Sequence, residues 1–127
     1  MLKIKRIYEP PAPEDGSRLL VDRLWPRGLA RERAAVDEWR KDLAPSHELR
    51  KWYNHEPDRW EEFSRRYREE LIEAGMDGEL ADLARRASRE NVTLVYAARD
   101  PAFSHALALE RFIAGAGKPA AGPETPR

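Results

Sequence analysis

The sequence predicts an α/β fold: a single compact layered domain with a small, mostly parallel sheet flanked by helices. Three observations lead there. Val92-Thr93-Leu94-Val95-Tyr96-Ala97-Ala98 is apolar with hardly any alternation, as a central strand covered on both faces must be. Trp60, Phe63, Tyr67, Leu71 and Ala74 recur three or four residues apart, one apolar helical face to lay on a sheet. The order strand, strand, helices, central strand, helix is that of layered α/β proteins.

The elements follow in chain order. Leu2, Ile4 and Ile7 alternate with Lys3, Lys5 and Arg6, the period-two pattern of a strand with one polar face. Pro10, Pro11, Pro13 and Gly16 make 9–16 a loop. Residues 18–24 form the second strand, closed by Trp25-Pro26-Arg27-Gly28, since the proline pushes Trp25 out of the helical region. For 29–44 the pattern fits neither period well; a short helical turn over 30–35 and a brief third strand or extended segment are expected. Ser46 N-caps a helix with Leu49, Trp52 and Tyr53 on its apolar side. Asn54-His55-Glu56-Pro57 interrupts it, and a longer helix starts near Pro57, a favourable first-turn residue. Gly75 stops that helix and Asp77 caps another, with Leu80, Leu83, Ala84 and Ala87 as its buried stripe. Arg99-Asp100-Pro101 ends the central strand, and a last helix runs from about Ser104 to Ala114. The domain is expected over 1–114, with 115–127 a disordered tail of Gly, Ala and Pro.

Composition narrows the function. The 127 residues balance 23 Lys+Arg against 23 Asp+Glu, which argues against broad non-specific nucleic-acid binding, though not against a local basic patch. With no cysteine, disulfides, zinc thiolates, iron–sulfur clusters and a cysteine nucleophile are excluded. The N-terminus lacks the apolar stretch of a signal peptide and no window approaches a membrane span, so the expectation is a cytoplasmic protein without membrane partners. His47, His55 and His105 are too scattered to predict a metal site, and no cofactor motif is present.

In open parallel sheets, ligands bind beyond the carboxyl ends of the strands. Two strands here end in mirrored charge pairs, Asp22-Arg23 and Arg99-Asp100. Asp22, Asp100, His55 and His105 are the candidates to move protons, given the near-neutral reference pKa of imidazole. Arg23, Arg27, Arg50 and Arg99 are candidate ligands for phosphate or carboxylate, which guanidinium binds in a bidentate way. Trp25 is a candidate stacking surface, and Ser46 brings the backbone N–H donors of a helix start. Each has a plainer reading. Asp100 and Ser46 can be simple caps, Asp22 and Arg99 a structural ion pair, Trp25 a lid over the core, and His55 a solvated loop residue.

The runs LLVDRLWPRG (19–28), WRKDLAPSHELRKWYNHEPDRWEEFSRRYREEL (39–71) and VTLVYAARDPAFSHALAL (92–109) resemble the YeaO-like branch of the domain-of-unknown-function 488 family. The resemblance covers roughly residues 2–113. It rests on Asp22-Arg23, Trp25-Pro26-Arg27-Gly28, Ala44-Pro45-Ser46, Leu49, Arg50, Trp52, His55, Trp60, Phe63, Tyr67, Ala97 to Asp100, and His105. Ser104 stands where the family pattern has Asn. The resemblance implies an α/β fold with a polar site at Asp22, Arg23, Arg27, Arg99 and Asp100, and brings no established activity.

Three functions are therefore carried forward. The favoured one is a small cytoplasmic enzyme acting on an anionic, phosphorylated or nucleotide-like substrate at the strand ends. The alternatives are a non-catalytic binding module for a phosphorylated metabolite or nucleic acid, and a protein-interaction domain using the charged helix 57–74.

Overall fold

A computed structural model describes residues 1–116. Its centre is a four-stranded sheet, all parallel, in the order β1-β4-β2-β3. The strands are β1 (Leu2–Arg6), β2 (Ser17–Leu20), β3 (Glu38–Trp39) and β4 (Val92–Tyr96). The helices are α1 (Arg31–Ala34), α2 (His47–Tyr53), α3 (Trp60–Glu73), α4 (Asp77–Ala87) and α5 (His105–Ala116). The α/β class and the parallel sheet expected from sequence are both present. β4 lies between β1 and β2 with all five residues buried, as its unbroken apolar run requires.

Alternation along the strands divides the core in two. Leu19, Val92, Leu94 and Tyr96 face α2 to α5 and join Phe63, Tyr67, Leu83 and Leu109 in the larger cluster. Leu20 and Val95 face the other way, onto Ile7, Ala34, Trp25 and Trp39. On that second face Asp15 is buried with Lys3, Lys5 and Arg18 around its carboxylate at 2.6–3.2 Å. Burial raises the Asp15 pKa, but hydrogen bonds from Lys5, the Ala12 N–H, Arg18 and Lys3 outweigh it and hold the group well below the ordinary carboxylate range. Beside it, Gly16 adopts φ 61° against Asn91, whose carbonyl oxygen lies 2.0 Å from where a Cβ would sit, so only glycine fits.

Several boundaries differ from the sequence expectation. β2 ends at Leu20 rather than 24: the Val21 N–H still reaches the Val95 carbonyl, after which the chain bends at Arg23 and Leu24. β4 stops at Tyr96, because the Ala97 N–H is taken by Asp22. Pro57 opens a 3-10 turn (Pro57–Arg59) that leads into α3. Ala74 is exposed beyond the end of α3, not on its buried face. Asp77 is the first residue of α4 rather than its cap, which is Met76. The last helix runs two residues past Ala114, and the rest of the expected tail, 117–127, lies outside the described residues. No helix among the described residues is long and apolar enough to cross a membrane.

Candidate functional site

The parallel sheet places the ends of β2 and β4 side by side, and the chain leaves them in different directions. From β2 it continues to α1 and β3 at one edge; from β4 it continues to α5, which packs towards β1 at the other. Adjacent strand ends whose connections part in this way open a crevice. A cleft of about 450 Å³ lies there, lined by Asp22, Ala97, Ala98, Ser104 and His105, with Tyr53, Phe63 and Phe103 as an aromatic wall. His47, Arg50, Lys51, Asn54 and His55 contribute from α2 and its end, and Leu24 from the loop after β2.

Asp22 and His105 form the floor. Asp22 Oδ2 accepts the Ala97 N–H at 2.9 Å, tying the end of β2 to the end of β4. Its Oδ1 lies 3.0 Å from His105 Nε2, which also sits 3.1 Å from the Val21 carbonyl. Two acceptors facing one ring nitrogen mean that Nε2 carries the proton, so the neutral ring has Nδ1 as its open acceptor. Ser104, buried, starts α5 by accepting the Leu107 N–H at 3.2 Å, which fixes where His105 stands.

The wall is held by hydroxyls turned inward. Tyr53 stacks on Phe63 at 4.1 Å between ring centroids and donates to the Phe103 carbonyl at 2.7 Å. Burial, with the nearby Asp100 charge, pushes the Tyr53 pKa up to about 12. Behind it, Tyr67 donates to the Leu43 carbonyl, and burial, with the charges of Asp22 and Glu70, raises its pKa well above the phenol range. Two consecutive left-handed residues, Asn54 at φ 47° and His55 at φ 54°, end α2 and turn the chain along the cleft rim.

The structure brings only part of the expected site together. Asp22, His105, Arg50 and His55 line the cleft. Arg50 and His55 are exposed there without a side-chain hydrogen-bond or ion-pair partner among the described residues, as are His47 and Lys51; the His55 ring lies 6.2 Å from that of Tyr53. The two strand-end charge pairs do not converge. Asp100 is exposed and accepts the Ala102 N–H at 2.9 Å, the plain capping role, and Arg99 is exposed outside the cleft lining. Arg23 is spent on the Pro45 and Ala44 carbonyls at 3.3 and 3.2 Å, which pins the loop after β2 to the start of α2. Arg27 is exposed outside the cleft lining, its carbonyl accepting the Tyr8 hydroxyl. Trp25 closes the second core cluster, with its indole N–H on the Leu29 carbonyl at 2.7 Å.

Ser46 also departs from the anion-binding expectation. Its hydroxyl oxygen caps α2 by accepting the Leu49 N–H at 3.1 Å, and its own N–H and O–H donate to Glu70 at 2.9 and 2.5 Å. The negative charge at this helix start is thus the protein's own carboxylate. Glu70 escaped sequence reasoning because it sits among the surface charges of α3. Arg6 escaped too, yet it donates to the Ala97 and Ala98 carbonyls at 3.1 and 2.9 Å, holding the cleft's backbone edge. A signal existed: Arg6 ends one strand where Ala97 leaves another.

A family model described as the inactive DUF488-N3 subclade matches residues 1–126. An uncharacterized protein of Mycobacterium tuberculosis (strain ATCC 25618 / H37Rv) is 45% identical over 114 residues, covering 90% of this chain and 94% of the relative. The uncharacterized protein YeaO of Escherichia coli (strain K12) is 41% identical over 113 residues, covering 88% and 96% respectively. No solved structure matches. The chain belongs to the domain-of-unknown-function 488 family, as a YeaO-like member.

Proposed function

We propose that the chain is a binding module that holds a small anionic ligand, such as a phosphorylated metabolite, in the cleft at the ends of β2 and β4. The observation that carries this reading is the cleft rim. Arg50 and Lys51 stand there without carboxylate partners among the described residues, beside the imidazoles of His47 and His55. An unspent guanidinium suits a phosphate or carboxylate group. The volume of about 450 Å³ falls within the usual range for small-molecule sites, roughly 300–1,000 Å³. Non-catalytic binding is preferred over turnover because Asp22 ties down the Ala97 N–H, and Asp100 only caps a turn. The description of the matching subclade as inactive points the same way.

One observation favours an enzyme as a second reading. A His whose Nε2 is held at the Val21 carbonyl beside a carboxylate, with Nδ1 open, has the arrangement of a general base. One screen separates the two. Sugar phosphates, nucleotides and inorganic anions are tested by thermal shift on wild-type protein and Arg50→Ala, and every stabilising ligand is then incubated and analysed for products. A ligand at a hundred times its Kd stabilises by about 2.7 kcal/mol, several degrees for a chain of this size. The binding reading predicts a shift that Arg50→Ala reduces, with the ligand recovered unchanged. Conversion that His105→Gln abolishes would favour the enzyme. The absence of any shift would reject both.

A further inference from the structure

The zero net charge conceals an uneven distribution. Much of the acidic charge is paired on the helices and at the Asp15 cluster. Around α1 and β3, Glu38 and Asp42 are also paired, while Asp37 meets only a backbone N–H. Arg40 meets Asp42 and Glu38, Arg86 meets Glu38, and Asp37 accepts the Arg18 N–H at 2.8 Å. Exposed Arg27, Arg31, Arg33 and Lys41 are left without a carboxylate within ion-pair distance among the described residues; Glu32 and Asp37 are the acids set against them.

Two of these cations are laid on aromatic rings. The Arg31 guanidinium carbon is 4.6 Å from the ring centroid of Trp25 and 5.8 Å from that of Trp39. Lys41 Nζ is 4.1 Å from the Trp39 centroid. The indoles are locked. They meet edge to face at 5.4 Å, and their N–H groups donate to the Leu29 and Asp22 carbonyls at 2.7 and 2.8 Å. A guanidinium held over an indole keeps N–H groups for a phosphate. Its plane is also a surface on which an unpaired base stacks. None of these residues lines the cleft.

We propose that the Arg31–Trp25–Trp39–Lys41 surface binds single-stranded nucleic acid through its phosphodiester backbone, separately from the small-anion cleft. Unpaired bases are required because a paired base has no free face for Arg31, and the preset rings reduce the ordering needed on binding. The test is fluorescence anisotropy of a short labelled oligonucleotide of mixed sequence, over a series of salt concentrations. Each cation that meets a phosphate adds about 0.7 to the slope of log affinity against log salt. Removing both Arg31 and Lys41 should reduce the slope by roughly 1.4 and the affinity by roughly 25-fold at 0.1 M salt.

Arg31 opens α1, so Lys41→Glu is a second probe that leaves the helix intact, and it should weaken binding at least as much as Lys41→Ala. The proposal is overturned if the wild-type protein does not bind, or if folded variants bind as wild type does. Equal competition by polyglutamate would overturn it too, by showing a general surface for acidic polymers. Loss of oligonucleotide binding with Arg50→Ala alone would put the strand in the cleft, ending this proposal while leaving the cleft reading in place.

Discussion

Asp22 and His105 meet at 3.0 Å across the ends of two buried segments, one leaving β2 and the other opening α5. Because Asp22 also holds the Ala97 N–H, one carboxylate joins the floor of the cleft to the end of β4, while the Val21 carbonyl faces the same imidazole nitrogen. Removing it should be felt first in stability. Asp22→Ala leaves the Ala97 N–H without its acceptor and is expected to cost about 1–3 kcal/mol in urea denaturation. Wild-type stability in this variant would mean that the contact is incidental.

Ser46 joins two helices by capping α2 and donating twice to Glu70 of α3. Ser46→Ala should lose about 1–2 kcal/mol through the cap. Glu70→Gln should cost less than Ser46→Ala, since an amide oxygen still accepts one of the two bonds. Equal losses in chemical denaturation would show that charge, not capping, dominates the junction.

Asp15 makes the fold acid-sensitive. Its pKa is depressed in the folded protein relative to an ordinary carboxyl near 3.8, so its contribution is complete above that value and declines as pH falls below it. Stability measured between neutral pH and strong acid should therefore fall below about pH 4. Asp15→Asn should flatten this slope and lose about 3–5 kcal/mol at neutral pH, because Arg18 and Lys5 stay largely buried without their counter-charge. An unchanged acid limb would assign the sensitivity elsewhere.

Gly16→Ala is predicted to be among the most damaging small substitutions. The left-handed φ of 61° and the backbone of Asn91 leave no room for a methyl group. A loss of more than about 1 kcal/mol in thermal or urea unfolding is expected, against little change for Gly78→Ala, which meets open space.

The contrast between Asp22 and Asp100 shows what was legible in the sequence. Both end a strand beside an arginine, and the local pattern treats them alike. Only tertiary placement separates them: Asp22 stands between β2 and β4, while Asp100 locally caps the 3-10 turn Pro101–Phe103 that precedes α5. The central strand, the helical faces of α3 and α4 and the caps at Ser46 and Asp100 were readable because they depend on spacing within one segment. Glu70, Arg6 and the aromatic wall were not, because each acts on a partner far away in the chain. Arg23 and Trp25 were ambiguous for the same reason: a loop arginine and tryptophan look alike whether they meet a ligand or the protein's own carbonyls.

The central claim is that the cleft between β2 and β4 takes a small anion. Backbone amide NMR, during titration with the anion that gives the largest thermal shift, tests it most directly. The account predicts saturable shifts concentrated at 47–55, Ala97, Ala98 and His105, lost in Arg50→Ala. Saturable shifts centred elsewhere, with those amides unmoved, would contradict it.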